Sequence, residues 1–219
     1  MLSDEIKKPE HARSPGSKMS AKLLQRASFL LSTPNLRDLP ADEGYEVALV
    51  GRSNSGKSSV LNALYQQRGL ARTSNTPGRT QQLVVFQLDQ MRRLVDLPGF
   101  GYAKVSKTKR AQWDRVLGRY FEVRAALAGV VMVCDARHEL KEVEAMMVHW
   151  CAELEIPLAM LLNKADKLTQ SKAQAMLKNR RATVAKLPGE VSVMLCSART
   201  KRGLDAVYEV MGGWLAVSE

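Results

Sequence analysis

Long apolar runs are missing from this 219-residue sequence. None approaches the ~18 residues that a membrane helix needs, and the longest candidate, Ile156–Leu162, contains Pro157. Cysteine is scarce as well. Cys134, Cys151 and Cys196 form an odd, scattered set without CxxC spacing. They do not suit a disulfide framework or a zinc site, and they fit reduced thiols. His11, His138 and His149 are too far apart in sequence to make a ligand pair. The opening segment MLSDEIKKPEHARSPGSK is charged but has no apolar stretch, so it does not read as a secretory signal. These shortages predict a cytoplasmic protein with no membrane role.

Positive charge is abundant. Lys and Arg number 33 against 22 Asp and Glu, a formal charge of +11. Lys104, Lys107, Lys109, Arg110, Arg115, Arg119 and Arg124 fall in one stretch, opposed only by Asp114 and Glu122. Lys172, Lys178, Arg180, Arg181 and Lys186 make a second stretch, and Arg199, Lys201 and Arg202 a third. Such runs are either solvated helix faces or a surface for an anionic partner, since Lys and Arg that neutralise phosphates release counterions. Charge alone leaves both readings open.

The chain is long enough for one well-buried domain and hardly for two. Residues 1–20 are polar, with Pro9, Pro15 and Gly16, and predict a flexible tail. Residues 21–219 predict a single domain whose core runs from about 44 to 217. Within it, strand-like runs alternate with helical patterns. Strands are expected at Glu46–Val50, Leu83–Leu88, Arg92–Val95, Gly129–Cys134, Leu158–Leu162 and Val191–Leu195. Helices are expected from near Lys57, over Val105–Leu127, Leu140–Leu154 and Ser171–Lys186, and from Leu204 to about Leu215. The continuous apolar run at Gly129–Cys134 is of the kind buried on both faces. Strands separated by helices imply an α/β fold, with a mainly parallel central sheet and helices on both faces.

The strongest motif closes the first of these strands: Gly51-Arg52-Ser53-Asn54-Ser55-Gly56-Lys57-Ser58. In this GxxxxGK[ST] pattern the glycines let the backbone curl, so that N–H groups face phosphates at a helix N-terminus. Lys57 can reach the β- and γ-phosphates, and the Ser58 hydroxyl can ligate Mg²⁺. Three later segments choose the base and sense the γ-phosphate. In Asp96-Leu97-Pro98-Gly99, Asp96 can hold a Mg²⁺ water and the Gly99 N–H can meet the γ-phosphate. In Asn163-Lys164-Ala165-Asp166, the Asp166 carboxylate can accept from guanine N1–H and its exocyclic amine, a donor pair that adenine lacks. Asn163 would tie this loop to the phosphate loop, and the Lys164 stem would lie along the ring. In Cys196-Ser197-Ala198, the Ala198 N–H could donate to guanine O6. Each segment sits at the carboxyl end of an expected strand, where open α/β sheets bind ligands. GTP, not ATP, is the expected ligand.

GRSNSGKSS, RTSNTPGRTQ, LVDLPGFGYAKV, NKADK and CSA together resemble the EngB family of bacterial GTPases, also called YihA or YsxC. The resemblance runs from FLLSTPNLRDLP to the C-terminal helix; TPGRTQ and DLPGFGYA are its specific parts. It implies a Ras-like P-loop G domain that binds GTP and GDP, acts in assembly of the large ribosomal subunit, and is needed for normal cell division. A monomer is the expected state. By the family pattern, Gly78, Arg79, Thr80, Gln81 and Gln82 join the GTP-binding set. Thr80 would be the switch threonine that completes the Mg²⁺ shell, with Thr73 and Thr76 as nearby rivals. Asn75 stands where members often carry Lys, and Asn163 where many carry Thr. Asn54, fourth in GxxNxGKS, resembles the residue of potassium-stimulated GTPases in the same broad class, so a K⁺ ion beside the nucleotide is a further expectation.

Lys57, Thr80 and Gly99 are the residues expected to carry the chemistry. Ras-type enzymes orient the attacking water with a glutamine just after DxxG; here Phe100 stands there, and Gln81 and Gln82 are the polar candidates. Slow intrinsic hydrolysis, completed by a partner that orders the switches, is the expectation. The alternative function is a nucleotide-gated protein-binding module in septation, with hydrolysis incidental.

Overall fold

The structure is a computed structural model and describes residues 15–71, 82–100 and 116–217. Its frame is a seven-stranded sheet in the order β1-β3-β4-β2-β5-β6-β7. The strands are β1 (Ser28–Thr33), β2 (Tyr45–Gly51), β3 (Leu83–Gln87), β4 (Arg92–Asp96), β5 (Leu127–Asp135), β6 (Leu158–Asn163) and β7 (Val191–Leu195). From β4 across to β7 every neighbouring pair is parallel. Only the β1–β3 and β3–β4 pairs are antiparallel.

The apolar runs of the central strands serve two cores at once. In β2, Val47 and Leu49 face one core while Ala48 and Val50 face the other, all four fully buried. At about 1.5–3 kcal/mol for each large side chain removed from water, such strands cannot be moved to an edge. The first core is covered by α1 (Pro15–Gln25), α2 (Lys57–Tyr65) and α6 (Leu204–Trp214). The second is covered by a helical stretch over residues 116–123 (α3), α4 (Glu142–Glu153) and α5 (Gln170–Val184).

Four expectations need correction. Residues 15–20 belong to helix α1 rather than to a flexible tail; residues 1–14 lie outside the described set. Small residues make the docking possible: Ser17 and Ser20 are buried, the Ser17 hydroxyl donates to the Asp205 carbonyl of α6, and Ser20 packs against Gly212. Second, the segment ahead of Glu46 contributes an edge strand, β1, whose register slips between Phe29 and Leu31. Third, Leu127 begins β5 instead of ending a helix, because it pairs with Glu46 across a bulge; residues 105–115 are outside the described set.

The fourth correction concerns charge. Arg124 and Arg180 belong to the framework, not to a solvated basic face. The Arg124 guanidinium binds the buried Glu46 carboxylate and the Pro40 carbonyl. Arg180 is 2% exposed and donates to the His138 carbonyl at 2.7 Å. A buried guanidinium must be bonded this way, because leaving it unpaired costs several kcal/mol.

Candidate functional site

The loop between β2 and α2 carries the first motif. Gly51 closes β2, and Arg52 bridges in parallel to Phe100. Phe100 N–H donates to the Gly51 carbonyl at 3.1 Å, and Ser53 N–H donates to the Phe100 carbonyl at 3.4 Å. The DLPGF segment is thereby zipped along the root of the phosphate loop. Phe100 itself is 5% exposed and packs in the second core.

Asn54 sits in the left-handed region at φ 65°, exposed, where an Asn is tolerated better than most residues. Gly56 caps α2 with φ 92°, a conformation that suits glycine. Ser55 Oγ is buried inside the loop, with no hydrogen-bond partner among the described residues.

Lys57 and Ser58 open α2. The Lys57 ammonium pairs with Asp96 at the end of β4, both side chains largely buried. Burial pushes the Asp96 carboxyl up from its ordinary value, and the Lys57 charge partly offsets this. The resemblance noted in the sequence implies Mg²⁺ beside the nucleotide. The donor set here fits it: a carboxylate and a serine hydroxyl are hard oxygen ligands, and Asp96 already receives a cationic group. Ser58 and Asp96 are the residues that would hold the ion, which would supply positive charge to the nucleotide phosphates. Chelating Mg²⁺ is therefore expected to weaken GTP binding of the wild type at least about tenfold, and that of Ser58→Ala far less. Titrating a fluorescent GTP analogue into both, with and without EDTA, checks this. Equal loss in both would remove Ser58 from the metal.

The base-side loops meet the phosphate loop through side chains. Asn163 ends β6; its Nδ2 donates to the Ser55 carbonyl at 3.0 Å, the tie expected from the sequence. Lys164, at φ 66°, sends its ammonium to the Asn54 carbonyl (2.5 Å) and to Asp135 (3.0 Å). Ala165 N–H donates to the Cys196 carbonyl at 3.1 Å, fastening the two loops together. Asp166 accepts from the Ser197 hydroxyl at 2.6 Å and from Arg199 Nε at 2.8 Å. Those bonds, that of Ser197 foremost, hold its carboxyl below the usual range. The Ala198 N–H donates to Asn163 Oδ1 at 3.1 Å, so its role toward guanine O6 would have to be shared with that bond.

The structure thus brings Gly51–Ser58, Asp96–Gly99, Asn163–Asp166 and Cys196–Ala198 to one end of the sheet. Gly78, Arg79, Thr80 and Gln81 lie outside the described residues; Gln82 is described, and its side chain accepts from Ser32 at 2.6 Å. Three residues near the site escaped the sequence reading: Asp135, Arg137 and Asn62. Asp135 ends a parallel strand beside Asn163, the same position that flagged the other motifs. Asn62 grips both backbone groups of Ala71, each at 2.8 Å, just ahead of the TPGRT segment. The three cysteines are free and buried, and no cluster of potential metal ligands rich in His, Cys, Asp or Glu occurs among the described residues.

Comparison with known proteins decides the family. A protein from Pasteurella multocida (strain Pm70) described as probable GTP-binding protein EngB is 46% identical over 191 residues, 87% of this chain and 93% of that one. Another, from Xanthomonas oryzae pv. oryzae (strain PXO99A), is 47% identical over 89% of this chain and 95% of that protein. This chain belongs to the EngB family. A family model described as 50S ribosome-binding GTPase matches residues 46–164, and one described as elongation factor Tu GTP binding domain matches residues 121–216. Among solved structures, a probable GTP-binding protein EngB superimposes with a TM-score of 0.63 at 19% identity, covering 79% of this chain and all of that one. Era in complex with MgGDPNP and part of 16S ribosomal RNA gives 0.62 at 20% identity, over 81% of this chain and 58% of that one. These two structures share the fold. Like its EngB relatives, the chain is a P-loop GTP-binding protein, and no helix among its described residues is long and apolar enough to cross a membrane.

Proposed function

We propose that this EngB-family chain is a slow GTPase whose GTP form docks on the large ribosomal subunit or its precursor and leaves after hydrolysis. The observation that carries the slow rate is Phe100. Where a Ras-type glutamine would hold the attacking water, this chain has Phe100, whose ring is buried and whose main chain is bonded to Gly51 and Ser53. A partner that orders the switch segments would complete the site. The ribosomal reading is supported by the matched family's description and by the +11 charge. With Arg124 and Arg180 committed to the interior, the exposed cations available to a phosphate backbone include Lys172, Lys178, Lys186, Lys201 and Arg202.

Co-sedimentation with ribosomal subunits tests it. The protein loaded with a non-hydrolysable GTP analogue is expected to pellet with the large subunit, and the GDP form to stay largely in the supernatant. Pelleting that ignores the nucleotide, or none at all, would favour the protein-binding module in septation.

The proposal extends to K⁺ at Asn54. A monovalent cation there would supply positive charge against the phosphates, as an arginine finger does elsewhere. The main-chain carbonyl of Asn54 already faces the Lys164 ammonium, leaving its side-chain oxygen for a second cation. GTP hydrolysis is expected to run several-fold faster in potassium than in sodium at constant ionic strength, and Asn54→Ala is expected to abolish the difference. Turnover assays with and without ribosomes read this out; a preference that survives in Asn54→Ala would refute it.

A further inference from the structure

Asp135 is the last residue of β5, in register with Asn163 of β6. Its carboxylate gathers donors from two directions. Arg137 supplies its backbone N–H (3.0 Å) and Nε (2.9 Å) to Oδ1, and a terminal guanidinium nitrogen (2.6 Å) to Oδ2. Lys164 supplies its ammonium to Oδ2 at 3.0 Å. Burial alone would push this carboxyl up, but the bonds from Arg137 and Lys164 outweigh it and hold the group well below the usual range. It therefore stays charged at any working pH.

The loop that carries Arg137 is itself fixed. Ala136 N–H donates to the Asn163 carbonyl at 2.8 Å, and the buried Arg180 donates to the His138 carbonyl at 2.7 Å. What this arm holds is the head of Lys164, and Lys164 in turn meets the Asn54 carbonyl of the phosphate loop. Two ties therefore join the base-side loop to the phosphate loop. One is Asn163 to Ser55, which is buried. The other is Lys164 to Asn54, and Asp135 stands behind it.

We propose that Asp135, oriented by Arg137, is a positioning residue for nucleotide retention that acts through Lys164. A lysine has four rotatable bonds and loses side-chain entropy when held. Asp135 holds the ammonium before the ligand arrives, so that the stem is laid out beside the base and the phosphate loop keeps its second tie. The inference rests on GTP binding, not on ribosome docking.

The test is a double-mutant cycle on nucleotide release, followed by stopped flow with fluorescent GDP on the full chain. Asp135→Asn keeps the shape and removes the charge. It is expected to speed release about tenfold, the scale of one charge-assisted hydrogen bond. In a Lys164→Met background the same change is expected to alter release less than about twofold. Arg137→Met is the second variant, expected to speed release about threefold, again only while Lys164 is present. A role confined to the framework would speed release equally in both backgrounds, and that outcome overturns the inference, as does unchanged release in Asp135→Asn. A wild type that binds no GDP would overturn this inference together with the nucleotide site beneath it.

Discussion

Asp166→Asn is expected to cut affinity for GDP and GTP by about two to four orders of magnitude. Two hydrogen bonds from guanine to a charged acceptor are at stake, each worth roughly 1.5–3 kcal/mol. Xanthine nucleotides, whose 2-oxo group accepts where guanine donates, should gain what guanine loses. Competition against fluorescent GDP with GTP, ATP and XTP reads all three effects. A wild type that binds ATP as well as GTP would end the assignment. The environment adds a pH corollary. Ser197 and Arg199 hold the Asp166 carboxyl below its ordinary 3.8. A depressed value keeps the charged acceptor as pH falls, so GDP affinity should stay flat from pH 8 to 5. A decline beginning near pH 6 would point to another group.

The convergence of the four motif segments at one end of the sheet was legible from residue order alone, because each motif needed only a strand before it and a turn after it. β2, β5 and β6 announce themselves through apolar runs buried on both faces. β1 did not, and the reason is physical. At the sheet edge its first three residues are exposed, and the slip after Phe29 breaks the alternation that marks a half-buried strand. α1 was hidden by the smallness of the residues that dock it: Ser17 and Ser20 fell in the stretch read as a polar tail, yet small side chains let two helices approach closely. Arg180 and Arg124 were counted as surface charge because sequence shows a side chain's charge but not its partners. Arg199 was counted likewise, although it bonds Asp166.

Gly56→Ala should also weaken GDP binding strongly, by a different route. At φ 92° a side chain is already strained, and a Cβ there would lie 2.5 Å from Asn163 Nδ2. Asn163 cannot retreat without surrendering its bond to the Ser55 carbonyl. A lost buried hydrogen bond of about 1–3 kcal/mol predicts a roughly 5- to 150-fold loss of GDP affinity, while left-handed strain of about 1–2 kcal/mol falls on stability. Gly69→Ala is the control. Gly69 also has a positive φ, 79°, but a Cβ there meets nothing within 4 Å. It should cost stability, seen as a lower thermal midpoint, and leave GDP binding nearly intact. If the two variants bind GDP alike, the clash with Asn163 is not what matters.

The packing of α1 on α6 bears on how the chain assembles while it is being made. Leu23 and Leu24 of α1 share one core with Val207, Tyr208 and Met211 of α6, yet roughly 180 residues separate the two helices. At synthesis rates of about 5–20 residues per second, α1 leaves the ribosome about 10–35 s before the helix it rests on. Throughout that interval its apolar face has only α2 and the sheet to cover it. Contacts this distant in sequence also form late in refolding. The docking of α1 should therefore be the closing step of folding, after the β-strands that frame the nucleotide loops are paired.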